Sequence, residues 1–198
     1  LKLLLATNNP GKVREVAEIL ALPGLDLVSP ADLGQRFEAS EEGETFEANA
    51  RSKAEAAFRQ FAMATVADDS GLEIHALAGK PGVHSARFMD GATYAEKCQE
   101  ILRRMADVPD PKRRARFRCC AVLVEANGSE HVFEGECPGT IVRAARGASG
   151  FGYDPVFVPD GLEQTFAEIG TETKNRISHR ARAFAQVRDF LVQRAASH

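Results

Sequence analysis

The chain has 198 residues, 44% of them hydrophobic, and its 25 Lys and Arg against 28 Asp and Glu leave a net charge of −3 with the histidines neutral. That length suits one sizeable core, or a core with a subordinate lobe, so a single domain over residues 1–198 is expected. The acidic balance speaks against a dedicated nucleic-acid binder, which would be strongly basic, and no run approaches the roughly twenty apolar residues of a membrane span. With no charged leader before an apolar segment, the expected protein is soluble and cytoplasmic, with no membrane partner.

In chain order, Leu3 to Ala6 reads as a short buried strand, followed by a polar loop, Thr7-Asn8-Asn9-Pro10-Gly11-Lys12, and a helix with Val13, Val16, Ala17 and Leu20 on one face. Leu25 to Val28 reads as a second strand, and an acidic loop runs from Glu38 to Glu44. Thr45 is a plausible N-cap for a long helix with Phe46, Ala50, Ala54, Ala57, Phe58 and Phe61 as its apolar stripe. Val66 to Asp68 and Leu72 to Ile74 read as two short strands around a turn, and Tyr94 to Met105 as a helix carrying Cys98, Ile101, Leu102 and Met105. Arg116 to Ala126 and Glu130 to Cys137 form an expected hairpin, because Asn127-Gly128 between them is a strong hairpin signal. Gly147 to Pro159 is loop-like, and Ser178 to Arg194 an amphipathic closing helix. The class is α/β, or mixed α+β: a central mixed sheet flanked by helices in two lobes, with a ligand cleft expected between them.

The basic run Lys112, Arg113, Arg114, Arg116 and Arg118 is read as one solvated strand face, since Arg116 and Arg118 alternate with Ala115, Phe117 and Cys119. The four cysteines, Cys98, Cys119, Cys120 and Cys137, lack the C-x-x-C spacing of metal or redox sites and are expected as buried free thiols.

Two segments carry chemistry. In Thr65 to Ile74 the adjacent carboxylates Asp68 and Asp69, with Ser70 beside them, can hold a divalent cation and position a water; an Asp-rich turn that merely stops a strand is the plain alternative. In the amino-terminal loop, backbone N–H groups, hydroxyl and amide side chains and the first helical turn can converge on an anion, with Lys12 adding a full charge. It lacks the glycine spacing of a Walker loop, and an ordinary Asn-Pro-Gly turn is its plain alternative. Together the two segments point to a metal–phosphate site.

Six motifs, Ala6 to Lys12, Thr45 to Ala50, Ala67 to Leu72, Pro81 to Arg87, Gly150 to Pro155 and Ile177 to Arg180, resemble in order those of the inosine triphosphate pyrophosphatase family. The resemblance runs from end to end and implies Mg2+-dependent hydrolysis of ITP, dITP and XTP to the monophosphate and pyrophosphate, in a homodimer of elongated two-lobed subunits. It also implies roles. Thr7, Asn8, Asn9, Pro10, Gly11, Lys12 and Lys53 would cradle the triphosphate, and Asp69 would act as catalytic base and metal ligand with Ser70 contacting substrate. Phe151, Gly152, Tyr153 and Asp154 would bind the base, and Lys174, His179 and Arg180 would complete the contacts, with His179 or Arg180 donating to the purine six-oxo group. The acidic loop departs from the family pattern at Ser40 and Glu42, and counting back from Thr45 makes Glu41 the best metal ligand. Asp68 need not enter the site, because successive strand residues face opposite ways. His84 and Arg87 fall in a motif read as structural or dimer-related, and His75, His131 and His198 receive no role. Two rivals stay open: a pyrophosphatase of the septum-inhibitor-like group acting on modified nucleotides, and a nucleotide sensor that keeps the cradle without the chemistry.

Overall fold

The computed structural model describes residues 1–196, so His198 lies outside the described residues. The α/β expectation holds. Strands β1 (Lys2–Leu5), β2 (Asp26–Val28), β3 (Thr65–Ile74), β4 (Arg114–Val124), β5 (Glu130–Ile141) and β6 (Phe157–Pro159) form one six-stranded sheet in the order β2-β1-β3-β4-β5-β6. β1 runs parallel to β2 and to β3, and β6 runs antiparallel to β5, so the sheet is mixed. The helices are α1 (Pro10–Ile19), α2 (Phe46–Phe61), α3 (Tyr94–Arg104), α4 (Thr171–Ile177) and α5 (His179–Ala196).

The chain divides into two compact units whose boundaries fall within β3, β4, β5 and the start of α5: residues Leu1–Asp69, Cys119–Gly135 and the chain from Arg180 onward, and residues Ser70–Arg118 with Glu136–His179. Each has its own apolar core. In the first, Leu3, Leu5 and Val66 pack with Val16 of α1, with Leu20 that caps its end, and with Phe184, Val187 and Leu191 of α5. In the second, Leu72, Ile74, Ile101 and Met105 pack with Phe117, Phe157 and Phe166.

Local chemistry explains the helix starts. Asn9 caps α1, its side chain accepting from the N–H groups of Gly11 and Lys12, with Pro10 at the first helical position where no N–H is required. Thr45 caps α2 by accepting from Ala48 N, the role expected of it, and such caps contribute about 1 kcal/mol each.

Three expectations change. The acidic pair does not sit at a turn between two short strands; β3 runs unbroken through Asp68, Asp69, Ser70 and Gly71. Side-chain partners satisfy the two carboxylates, so the backbone has no need to leave the extended form. β6 emerges from the segment read as loop, and α4 precedes the closing helix, with Ser178 between them. Arg113 leaves the basic face: it is buried and donates to the backbone carbonyls of Ile141, Met105, Val108 and Val142, while Arg114, Arg116 and Arg118 stay half-buried and ion-pair with Asp160, Glu73 and Glu136. The four cysteines are free and buried, as expected.

Candidate functional site

In the first unit, charged side chains of alternating sign gather on the two faces of β3. On one face Asp68, 2% exposed, accepts from Lys12 Nζ at 3.1 Å through both oxygens and from Arg180 Nε and NH2 at 3.3 and 3.2 Å. Arg180 NH1 donates in turn to Glu15 on α1 at 2.6 Å. On the other face Asp69, 8% exposed, accepts from Asn49 Nδ2 at 3.0 Å, with Lys53 Nζ at 3.7 Å from its other oxygen. Lys53 Nζ also lies 2.7 Å from Glu41 Oε1. The pleat that sends successive side chains to opposite faces thus gives each carboxylate its own cations.

The electrostatics follow from burial. Asp69 is pushed above the ordinary carboxylate value chiefly by desolvation and further by Glu41, which together outweigh Lys53, Asn49 and Lys12. Desolvation lowers Lys12, with the cations Lys53 and Arg180 adding to that and Asp68 and Asp69 opposing it. For Lys53 the same burial term is the largest, yet the combined attraction of Asp69, Asp68 and Glu41 exceeds it and leaves the ammonium raised. Lys12 and Asp69, 57 positions apart in the chain by subtraction of their numbers, therefore feel one another's charge.

The amino-terminal turn is organised around its cap. Thr7 Oγ1 accepts from Asn9 N at 3.1 Å, and Asn8 Nδ2 donates to Phe37 O at 2.6 Å. Asn8, Asn9 and Pro10 are exposed, Gly11 is buried, and the Lys12 side chain keeps 16% of its surface in solvent. Of the loop glutamates, Glu41 faces Lys53 whereas Glu42 and Glu44 are exposed.

The second unit holds the other residues. Asp154 Oδ2 accepts from Lys174 Nζ at 2.6 Å and from Phe151 N at 2.9 Å, and Lys174 Nζ sits 4.6 Å from the Phe151 ring centroid. Gly150 has φ +75°, and a Cβ there would lie 2.1 Å from Asp154 Oδ2, so the loop closes onto this carboxylate only with glycine in place. Phe151 and Gly152 are half-buried. Tyr153 belongs to the core: 3% exposed, it donates its hydroxyl to Ser85 O at 2.7 Å and meets Tyr94 edge-on. His179 stacks on Phe117 at 4.7 Å between centroids. Ser85 also accepts from Leu72 N and donates to Gly82 O, a structural use of the motif containing His84 and Arg87, whose side chains stand 3.4 Å apart.

Of the expected site residues, Thr7, Asn8, Asn9, Pro10, Gly11, Lys12, Glu41, Lys53, Asp69 and Arg180 lie in the first unit, and Ser70, Phe151, Gly152, Tyr153, Asp154, Lys174 and His179 in the second. Arg180 is committed to Glu15 and Asp68, and a donor role at a purine would compete with both ion pairs. Two members escaped: Asn49 and Glu15, 1% and 5% exposed. Each sits on a buried helical stripe, Asn49 with Phe46, Ala50, Lys53, Ala54 and Ala57, and Glu15 with Gly11, Val16 and Ile19. A polar residue at a core position of an amphipathic helix is the signal that finds them.

The model of the Ham1 family matches residues 3–190. A protein of Porphyromonas gingivalis named dITP/XTP pyrophosphatase is 45% identical over 192 residues, covering 96% of this chain and 97% of the relative. Among solved structures, a HAM1 protein from Coxiella burnetii is similar with a TM-score of 0.88 at 36% identity, covering 98% of this chain and 99% of that one. The Ham1 protein of Staphylococcus aureus reaches 0.86 at 33% identity, over 98% and 100% of the two chains. On sequence and on fold alike, this chain belongs to the Ham1 family.

Proposed function

We propose that the chain hydrolyses non-canonical purine nucleoside triphosphates, dITP, XTP and ITP, to the monophosphate and pyrophosphate, and so clears deaminated purines from the nucleotide pool. The observation that carries the reading is the convergence of Lys12, Lys53, Glu41 and the Asp68–Asp69 pair in one unit, from four separated stretches of chain. Fixed cations beside fixed carboxylates are what a metal–triphosphate requires.

Mg2+ is the proposed cofactor. Glu41 and Asp69 offer hard carboxylate oxygens converging on a single ammonium, a donor set suited to Mg2+, which takes few protein ligands and keeps several waters. When bound, the ion would neutralise phosphate charge and acidify a coordinated water. Asp69 would accept the proton of the attacking water, and the burial that raises its affinity for protons makes it the more basic for that task. Lys12 and Lys53 would hold phosphate oxygens as charge moves onto the pyrophosphate. Asp68, Arg180 and Glu15 would hold Lys12 and the strand in place.

The second unit would recognise the base. Phe151 offers a half-buried ring for stacking, held by Asp154 and Lys174, and His179 would donate to the six-oxo group. Adenine presents an amino donor at that position, and a mismatched buried polar group costs about 1–3 kcal/mol. The whole chain acts as one functional domain in this reading, as a cytoplasmic homodimer. The resemblance supports the dimer; no helix among the described residues is long and apolar enough to cross a membrane.

The test is product analysis. Purified protein with Mg2+ should release pyrophosphate from dITP, XTP and ITP far faster than from dATP or modified pyrimidine triphosphates. Orthophosphate as the sole product would overturn the reaction class, and no release from any triphosphate would favour the sensor.

A further inference from the structure

We infer that Asn49 is a positioning residue that selects the working oxygen of Asp69 and ties it to the loop bearing Glu41. The inference rests on the pyrophosphatase reading and adds to it a residue outside the proposed cradle.

Asn49 occupies a core position of α2, 1% exposed, where an apolar side chain would ordinarily pack. A buried amide without partners costs about 1–3 kcal/mol, so its bonds matter. It makes one at each end: Oδ1 accepts from Gly43 N at 2.8 Å, and Nδ2 donates to Asp69 Oδ2 at 3.0 Å. One end must accept and the other donate, which leaves the amide a single orientation. Asp69 is fixed by the same logic. Its Oδ2 is taken by Asn49, and Oδ1 faces Lys53 Nζ at 3.7 Å, the ammonium that Glu41 Oε1 meets at 2.7 Å. Oδ1 is therefore the oxygen presented for chemistry, on the same cation as the loop glutamate.

The loop half of the bridge is as tight. A Cβ on Gly43 would lie 2.7 Å from Asn49 Oδ1 and 2.9 Å from Ala48 Cβ, so the loop reaches the helix only with glycine there. Gly43 is two residues past Glu41. Asn49, one turn before Lys53 on α2, thus joins that lysine in setting the spacing between Glu41 and Asp69.

The two halves separate by mutation in the full-length protein. Asn49→Leu fills the space and removes both bonds; Gly43→Ala strikes the loop half directly and reaches Asp69 only through the amide that it presses on. Asn49→Leu should lower kcat for dITP at saturating Mg2+ about 100-fold, the scale of a 1 Å misplacement of a reacting group, and should weaken Mn2+ binding followed by electron paramagnetic resonance without nucleotide. Gly43→Ala should weaken Mn2+ binding and raise the Mg2+ needed for half-maximal rate about tenfold, while kcat at saturating metal stays within about threefold of wild type. If Asn49→Leu does not fold, Asn49→Ser, with room for a water, should show the same loss of kcat. A folded Asn49 variant with kcat within threefold of an active wild type, or two variants that lose only thermal stability, would overturn the inference. A wild type that released no pyrophosphate would overturn the functional reading instead.

Discussion

The two units handle buried charge differently. In the first, Glu15, Arg180, Asp68 and Lys12 on one face of β3, and Asp69, Lys53 and Glu41 on the other, form chains in which each ion touches ions of opposite sign. In the second, Lys174 pairs with Asp154, both side chains 3% exposed, among the rings of Phe151 and Phe166, while the buried Arg113 donates to backbone carbonyls. A chain of ions whose neutralisation is incomplete, as the raised proton affinity of Asp69 records, is suited to receive further charge such as a metal–phosphate. A satisfied pair among aromatic rings holds a shape. The first unit is built for electrostatics, the second for fit.

Asp69→Asn should break the first half of that contrast most severely. Loss of a general base typically costs about 10²–10⁴ in rate, so kcat should fall by that factor while a non-hydrolysable triphosphate analogue still binds, as calorimetry would register. The same substitution reads the electrostatic strain. Folding raises the carboxyl of Asp69 above 3.8, so as pH climbs from 3.8 to the raised value the unfolded chain has released its proton and the folded protein retains it. The folded state then binds more protons, and wild-type stability declines through that window. Asn cannot ionise. Urea unfolding of the two proteins should show their difference moving in favour of the variant as pH rises through the window and levelling off above it; a difference that did not change with pH would remove the claim of a desolvated carboxylate.

Next in size is Arg180→Met. Removing it leaves Glu15 and Asp68 without their shared guanidinium, and breaking a buried ion pair on one side costs about 3–5 kcal/mol. Urea unfolding at neutral pH should show that loss. A variant of near-normal stability and altered ITP-over-ATP selectivity would instead return Arg180 to the base-recognition role that the sequence reading gave it.

The division between legible and hidden features follows from how far each signal travels along the chain. Helix starts were legible because Thr45 and a repeating apolar stripe are local. The hairpin was legible through Asn127-Gly128, with Gly128 at φ +85°. The course of β3 was not, because Asp-Asp-Ser-Gly has turn chemistry locally, and the cations that keep it extended come from Lys12, Lys53 and Arg180 far away in sequence. α4 and β6 are too short, at 7 and 3 residues, for a periodic pattern to register. Lys12, Asp69 and Glu41 stood out as charges near turns, whereas Asn49 and Glu15 hid within helices whose apolar pattern drew attention to their neighbours.

Gly150→Ala sharpens the second half of the contrast. The added Cβ would press on Asp154 Oδ2 at a backbone φ of +75°, so the carboxylate must leave Phe151 N and the stacking ring loses its support. If this unit acts through fit alone, KM for dITP should rise about tenfold with kcat little changed. A comparable fall in kcat would show that the loop also serves the chemical step.

The smallest expected effects lie in the acidic loop, where two adjacent glutamates should behave differently. Glu41 is bonded to Lys53 and contributes to raising Asp69, whereas Glu42 is exposed. Glu41→Gln removes a charged oxygen donor and should raise the Mg2+ needed for half-maximal rate about tenfold, since Mg2+ relies on few carboxylates. Glu42→Gln should leave that requirement and kcat within about twofold, as surface substitutions usually stay within about 0.5 kcal/mol. Both changes remove one negative charge from the same loop, so a general weakening of its field predicts equal effects, and a specific contact of Glu41, with the metal or with Lys53, separates neighbours. Equal shifts in the Mg2+ titration would therefore reassign the loop from ligand to field.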